Sequence, residues 1–261
     1  MRNMWNFKII ETGFFDADGG AMFGAIPKRA WSRKYKSTDD NCCKLAMNCV
    51  LLWNENRRVL IDTGVGSKDL GKLSYYNFSE LVDIRHAIKA HGFSPLDITD
   101  VVLSHLHFDH CGGCTYLDCF GELRVSFPAA MHYVSRAQWE NYKRPNVLEK
   151  DSFRPEDMTI IEASKLLTLV ESDGEIIPNL SVALAGGHTE GQLVVSFESG
   201  GNLILVPGDV VPTSAHRSDL WLSAYDVSPL RSVGDKIKLK EIAKNRPSTT
   251  IFYHDAYNKS K

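Results

Sequence analysis

Residues 101–113 of this chain read VVLSHLHFDHCGG, which places His105, His107, Asp109 and His110 within six consecutive positions. Imidazoles and a carboxylate crowded at that density compete for solvation unless a cation holds them. The chemistry they suggest is binding of a divalent metal. Val101-Val102-Leu103 reads as a buried strand and Gly112-Gly113 as a turn, so the cluster lies on the loop that leaves a strand. Three further stretches end in the same way. ALAGGH brings His188 after a strand and a Gly-Gly turn, LILVPGD brings Asp209 after Leu203 to Val206, and TTIFYH brings His254 after the last strand. Polar residues at strand ends, beside glycines that let backbone approach closely, are where a scaffold mounts a site. Five histidines and two aspartates are enough for two ions.

The spacing divides them. His105 and His107 are two apart, so an extended backbone points both the same way, and His188 completes a three-histidine set. Asp109 and His110 follow on the turned part of the loop and face a second ion with His254. Asp209 has two carboxylate oxygens and can bridge both ions at a separation of about 3.5–4 Å. Nitrogen-rich ligation favours zinc, with manganese, cobalt and iron left open. His86, His91 and His132 lack such company and are expected to be structural; His216 stays open between a structural and a catalytic part. Cys111-Gly-Gly-Cys114 is formally a CxxC, but no second CxxC follows, and the six cysteines are not spaced like a secreted disulfide framework. Reduced thiols are expected.

Apolar runs bounded by turn residues supply the elements that must hold these groups. Strands are expected over Phe7 to Phe15 and Ala46 to Trp53, the latter paired in a hairpin with Arg58 to Asp62. Further strands are expected over Met131 to Ser135, Leu180 to Ala185, Gln192 to Glu198, Leu203 to Val206 and Thr249 to Tyr253. Helices are expected over Ser79 to His91, Arg136 to Lys143 and Val233 to Asn245, with an exposed loop over residues 144–157. Strands with helices in each half predict an α+β fold, two mixed sheets packed on one another and flanked by helices. No low-complexity linker divides the chain, so residues 1–261 are read as a single domain. The composition is that of a globular protein, 43% hydrophobic and 24% charged, with 30 basic against 32 acidic residues. A net charge of -2 argues against nucleic acid or an anionic membrane as partner. No apolar run approaches a membrane span, and the start MRNMWNFKIIETGFFD lacks the features of a signal peptide, so a cytoplasmic location is expected. Nothing indicates an oligomeric state.

The motif HxHxDH, present as His105-Leu106-His107-Phe108-Asp109-His110, together with His188, Asp209, His254 and LIDTG at 60–64, resembles the metallo-β-lactamase superfamily. The resemblance spans most of the chain and implies an αββα sandwich with a dinuclear hydrolytic site at one edge. Departures narrow the branch. The β-lactamases themselves lack the bridging aspartate, flavodiiron proteins put glutamate where His107 stands, and RNA-processing members carry inserted domains and basic surfaces. Glyoxalase II appends a helical segment, whereas seven residues follow His254 here. Residues 15–31 and 210–226 are similar to the entrance loops of quorum-quenching N-acyl-homoserine lactonases. That likeness implies an apolar substrate rim of Phe15, Met22, Phe23 and Trp31, with Trp221 and Tyr225 opposite. It also implies attack of a metal-bridging hydroxide on a lactone carbonyl, with Asp109 carrying the proton to the leaving group. Some lactonases have a tyrosine three residues after the bridging aspartate; Pro212 stands there, so phenolic help falls to Tyr225 or is absent. Two alternatives stay open: a phosphotriester or other ester hydrolase of the same fold, and a catalytically silent metal-binding sensor.

Overall fold

The computed structural model describes residues 4–68 and 70–261. The first three residues of the start discussed above lie outside the described residues. In chain order the first part comprises β1 (Asn6–Asp18), α1 (Gly19–Phe23), α2 (Lys28–Trp31), β2 (Cys42–Trp53), β3 (Arg58–Ile61), α3 (Ile84–Ala87), β4 (Asp100–Val102) and α4 (Phe108–Cys111). A small hairpin, β5 (Thr115–Leu117) and β6 (Leu123–Val125), precedes β7 (Met131–Ser135), α5 (Arg136–Lys143), α6 (Pro155–Ala163) and β8 (Leu167–Val170). The second part comprises β9 (Gly174–Ile177), β10 (Leu180–Ala185), β11 (Gln192–Ser199), β12 (Asn202–Val206), α7 (Pro229–Ala243) and β13 (Ser248–Thr250).

Strands of the first part form a sheet in the order β1-β2-β3-β4-β7-β8, antiparallel through β3 and parallel beyond it. Those of the second part form a sheet in the order β13-β12-β11-β10-β9, parallel only at β12–β13. Side-chain alternation explains the layers. Val50, Leu52, Val59 and Ile61 point from the first sheet onto Val182, Leu193, Val195 and Ile204 of the second. Their neighbours Cys49, Leu51 and Leu60 point outward, into a cluster with Ile84, Trp139 and Ile161 from the helices on that face. On the far face Val194, Leu203 and Leu205 meet Leu239 of α7. The result is the expected αββα sandwich.

Several segments depart from the sequence-based expectation: the last strand is Ser248–Thr250 rather than Thr249 to Tyr253, and the last helix is Pro229–Ala243 rather than Val233 to Asn245. The helix expected from Ser79 begins only after Asp83, whose side chain accepts from Arg85 N. Ser79 instead exchanges two 2.9 Å backbone hydrogen bonds with Phe14, so tertiary pairing overrides helical periodicity. Residues 144–157 are not simply an exposed loop. Glu149, Phe153, Arg154 and Asp157 are buried, and α6 starts within the segment at Pro155. Strands β5, β6, β8 and β9 were not anticipated.

Candidate metal centre

The seven expected ligands come together at one edge of the sandwich, on loops that leave β4, β10, β12 and β13. The loop after β4 is braced from behind. Thr63 N and Oγ1 both donate to His110 O, at 2.7 and 3.0 Å, and Gly113 N donates to Gly64 O at 2.9 Å. A Cβ on Gly113 would stand 2.2 Å from Thr63 O, so this approach requires glycine. Tyr253 stacks on the His110 ring at 3.9 Å and donates to Asp109 O at 2.6 Å.

The donor atoms converge in two sets. His105 Nε2 and His188 Nε2 lie 3.1 and 3.2 Å from His107 Nδ1. On the other side, His110 Nε2 and His254 Nε2 are 3.4 Å apart, with Asp109 Oδ2 at 3.7 and 3.5 Å from them. Asp209 lies between the sets. Its Oδ1 is 3.3 Å from His110 Nε2 and 3.2 Å from His254 Nε2, while Oδ2 is 3.4 Å from His188 Nε2. Metal–nitrogen bonds of 2.0–2.1 Å put neighbouring donors on a tetrahedral ion roughly 3.3–3.4 Å apart, which these separations match.

The far nitrogens explain why the near ones need a cation. His110 Nδ1 donates to Asp62 Oδ2 at 3.0 Å, His254 Nδ1 to Ala46 O at 2.9 Å and His188 Nδ1 to Asp226 Oδ1 at 3.2 Å. His107 Nε2 donates to Glu149 Oε2 at 3.1 Å. Ser104 Oγ gives its proton to Asp62 at 2.7 Å and so accepts from His105 Nδ1 at 3.1 Å. Each acceptor fixes the tautomer that turns a bare lone pair inward. Lone pairs therefore face lone pairs, and Asp209 Oδ1 is buried without a hydrogen bond. This donor set fits metal ions. The same crowding shifts the titration of these groups unevenly. Burial and neighbouring imidazoles push His105 down. Burial also opposes charge on His110 and His188, but the carboxylates around each outweigh it and raise both. Against its own burial, Asp209 is held low by His254, His110 and His188.

Asp62, Ser104, Glu149 and Asp226 were not singled out from sequence. Asp62 lies in LIDTG and Asp226 closes the segment 210–226, so both were within quoted motifs. No local signal marks Glu149. The CxxC cysteines form no disulfide and are buried, and burial pushes the Cys114 thiol up to about 12, which keeps it protonated.

A cleft of about 180 Å³ opens over the centre, lined by Phe15, Met22, Tyr76, Phe108, Leu148 and Tyr225 among others. Phe15 stands edge-on to His254 at 5.4 Å. Phe23, Trp31 and Trp221, expected around the cleft, do not line it. Phe23 is fully buried, stacked between Trp31 at 4.8 Å and His216 at 4.6 Å, and Trp221 abuts its edge at 6.2 Å. All three belong to the packing behind Met22, where Trp31 and Trp221 surround Phe23, the last residue of α1. His216 belongs there too, hydrogen-bonded to Met22 O at 2.9 Å and Thr213 Oγ1 at 2.7 Å.

Comparison with known proteins adds to this geometry. Residues 45–254 match the family described as the metallo-beta-lactamase superfamily. The N-acyl homoserine lactonase of Bacillus thuringiensis is 23% identical over 234 residues, 84% of each chain. The structure of a probable metal-dependent hydrolase from Staphylococcus aureus superposes with a TM-score of 0.90 at 29% identity, covering 100% of this chain and 92% of that one. AidC, a dizinc quorum-quenching lactonase, superposes with a TM-score of 0.76 at 20% identity over 99% of this chain and 93% of its own.

Proposed function

The chain belongs to the metallo-beta-lactamase superfamily as a metal-dependent hydrolase, and from that premise we propose that it opens lactone rings, of N-acyl-homoserine lactone type, with two metal ions. The observation that carries this proposal is Asp209, whose two oxygens face two separate histidine sets beneath a largely apolar cleft. Residues 1–261 act as one domain in this scheme. His105, His107 and His188 would hold one ion and Asp109, His110 and His254 the other, with Asp209 available to each; zinc would suit the nitrogen-rich set. When bound, two such ions supply a water acidic enough to ionise near neutrality and a Lewis acid for the carbonyl oxygen.

The chain's own residues do the rest. Asp109 turns Oδ2 toward His254 and His110, and its second oxygen carries the proton to the leaving alkoxide. Tyr225 lines the cleft at 43% exposure, and partial desolvation with nearby Asp18 and Asp109 raises its phenol, which stays protonated as a donor to the carbonyl oxygen. Phe15, Met22 and Leu148 offer an apolar wall to an acyl chain. Among the described residues no Lys or Arg lines the cleft, whereas Asp109, Glu149, Asp209 and Asp226 do. An anionic substrate finds no protein cation there, so an uncharged ester is favoured over a carboxylate-bearing β-lactam. A phosphotriester is also uncharged and is the second candidate. The test is a panel of lactones, phosphotriesters, β-lactams and thioesters, assayed with zinc-, manganese- and cobalt-loaded protein. Preferred turnover of a phosphotriester would replace the lactone assignment, and no turnover of any would favour a silent metal-binding protein.

A further inference from the structure

The acceptors behind the histidines differ in what carries them. Asp62 follows β3 in the core, and Asp226 follows a segment pinned by Lys236 Nζ, which donates to three carbonyls between His216 and Trp221. Glu149 comes from a strap, residues 144–153, that crosses the mouth of the cleft. It is 4% exposed, yet the two residues before it, Val147 and Leu148, are 83% and 76% exposed. Apolar packing therefore does not hold this half of the strap down. Its carboxylate does. Glu149 Oε1 accepts from Asn141 Nδ2 of α5 at 2.8 Å and from Asn146 Nδ2 of the strap at 2.5 Å, and Oε2 accepts from His107 Nε2. Asn146 in turn accepts from Leu148 N at 2.9 Å and Lys150 N at 3.1 Å, which folds the strap around the anchor. Leu148, Glu149 and Ser152 line the cleft, so where the strap sits decides the shape that a substrate meets.

We propose that Glu149 is a positioning residue through which metal binding at His107 seats the strap of residues 144–153 over the cleft. A metal on His107 Nδ1 commits the proton to Nε2, and that N–H is the one that Glu149 receives. Removing an outer acceptor of this kind costs roughly 10- to 100-fold in metal affinity. Coupling is reciprocal, so the metal favours the seated strap over the open one by the same factor. The inference rests on the metal-centre assignment but not on the lactone.

Lys150 is exposed on the strap, and Lys165 is exposed outside it, after α6. Limited trypsin digestion followed by mass spectrometry, on metal-loaded and chelator-stripped protein, compares cleavage after the two. Stripping is expected to speed cleavage after Lys150 by tenfold or more and leave Lys165 unchanged. Glu149→Gln, which keeps the side-chain shape, should cleave fast at Lys150 even when loaded, and should bind one of two zinc equivalents 10- to 100-fold more weakly in a chelator competition. Equal acceleration at both lysines, no acceleration at Lys150, or native zinc affinity in Glu149→Gln would each overturn the inference. A parent protein that takes up no metal would overturn the metal centre itself, a different failure.

Discussion

Asp62→Asn separates the metal-orienting part of the buried carboxylate from its structural part. Asp62 is fully buried and accepts three hydrogen bonds: Ser104 N at 2.7 Å on Oδ1, and Ser104 Oγ at 2.7 Å and His110 Nδ1 at 3.0 Å on Oδ2. Asparagine keeps the volume and tolerates the left-handed backbone, where Asp62 has φ 57°. It also keeps an oxygen for Ser104 N. On the other side an NH2 replaces the acceptor. The serine hydroxyl can rotate and accept from it, but His110 must take the other tautomer and point Nε2–H at the metal site. One hydrogen bond to a charged group is then lost, about 1.5–3 kcal/mol, from a total stability of about 5–15 kcal/mol. The variant should stay folded. Urea unfolding of stripped protein should report that loss, and chelator competition should show the Asp109–His110–His254 equivalent weakened 10- to 100-fold. Two equivalents of native affinity in a variant destabilised by that amount would refute the tautomer argument and leave Asp62 with a purely structural part.

Purified protein should carry close to two metal equivalents, and Asp209→Ala should lose turnover and metal while keeping its circular dichroism spectrum. Full activity at one equivalent would end the two-metal scheme. The rate constant kcat/KM for acyl-homoserine lactones should rise with chain length, by up to about 0.8 kcal/mol per buried methylene. Met22→Ser should flatten that rise, whereas Phe23→Ala should unfold more readily by about 3–5 kcal/mol, because it empties a stack rather than a rim. A Phe23 variant with native stability would return that residue to the cleft. Burial holds His132 and His216 at about 4, below the unfolded value near 6.5. The unfolded chain therefore takes up protons first as pH falls from 6.5 to 4, and each residue withdraws roughly 3 kcal/mol of stability across that window. Above it the contribution is whole. His132→Phe should make the acid limb shallower by up to one proton, and parallel curves for variant and parent would contradict this.

The chemistry was legible where ligands adjoin in the chain or follow a strand. His105, His107, Asp109 and His110 announce themselves through density, and His188, Asp209 and His254 through the apolar run and turn before each. Apolar runs bounded by turn residues, in β2, β10, β11 and β12, likewise carried the two-sheet architecture. What the chain alone could not decide was partnership across long separations. Asp62 and His110 are 48 residues apart, Glu149 and His107 42, and Asp226 and His188 38. A carboxylate at such a distance reads like any surface acid until folding buries it against an imidazole. Exposure of aromatic residues is decided the same way: Phe15 and Phe23 look alike in sequence, but β1 turns one toward His254 while α1 closes the other between Trp31 and His216. Residue type and local period determined which groups the protein owns and which strand ends present them. The tertiary structure decided which nitrogen of each histidine faces inward, because that depends on an acceptor brought from elsewhere in the chain.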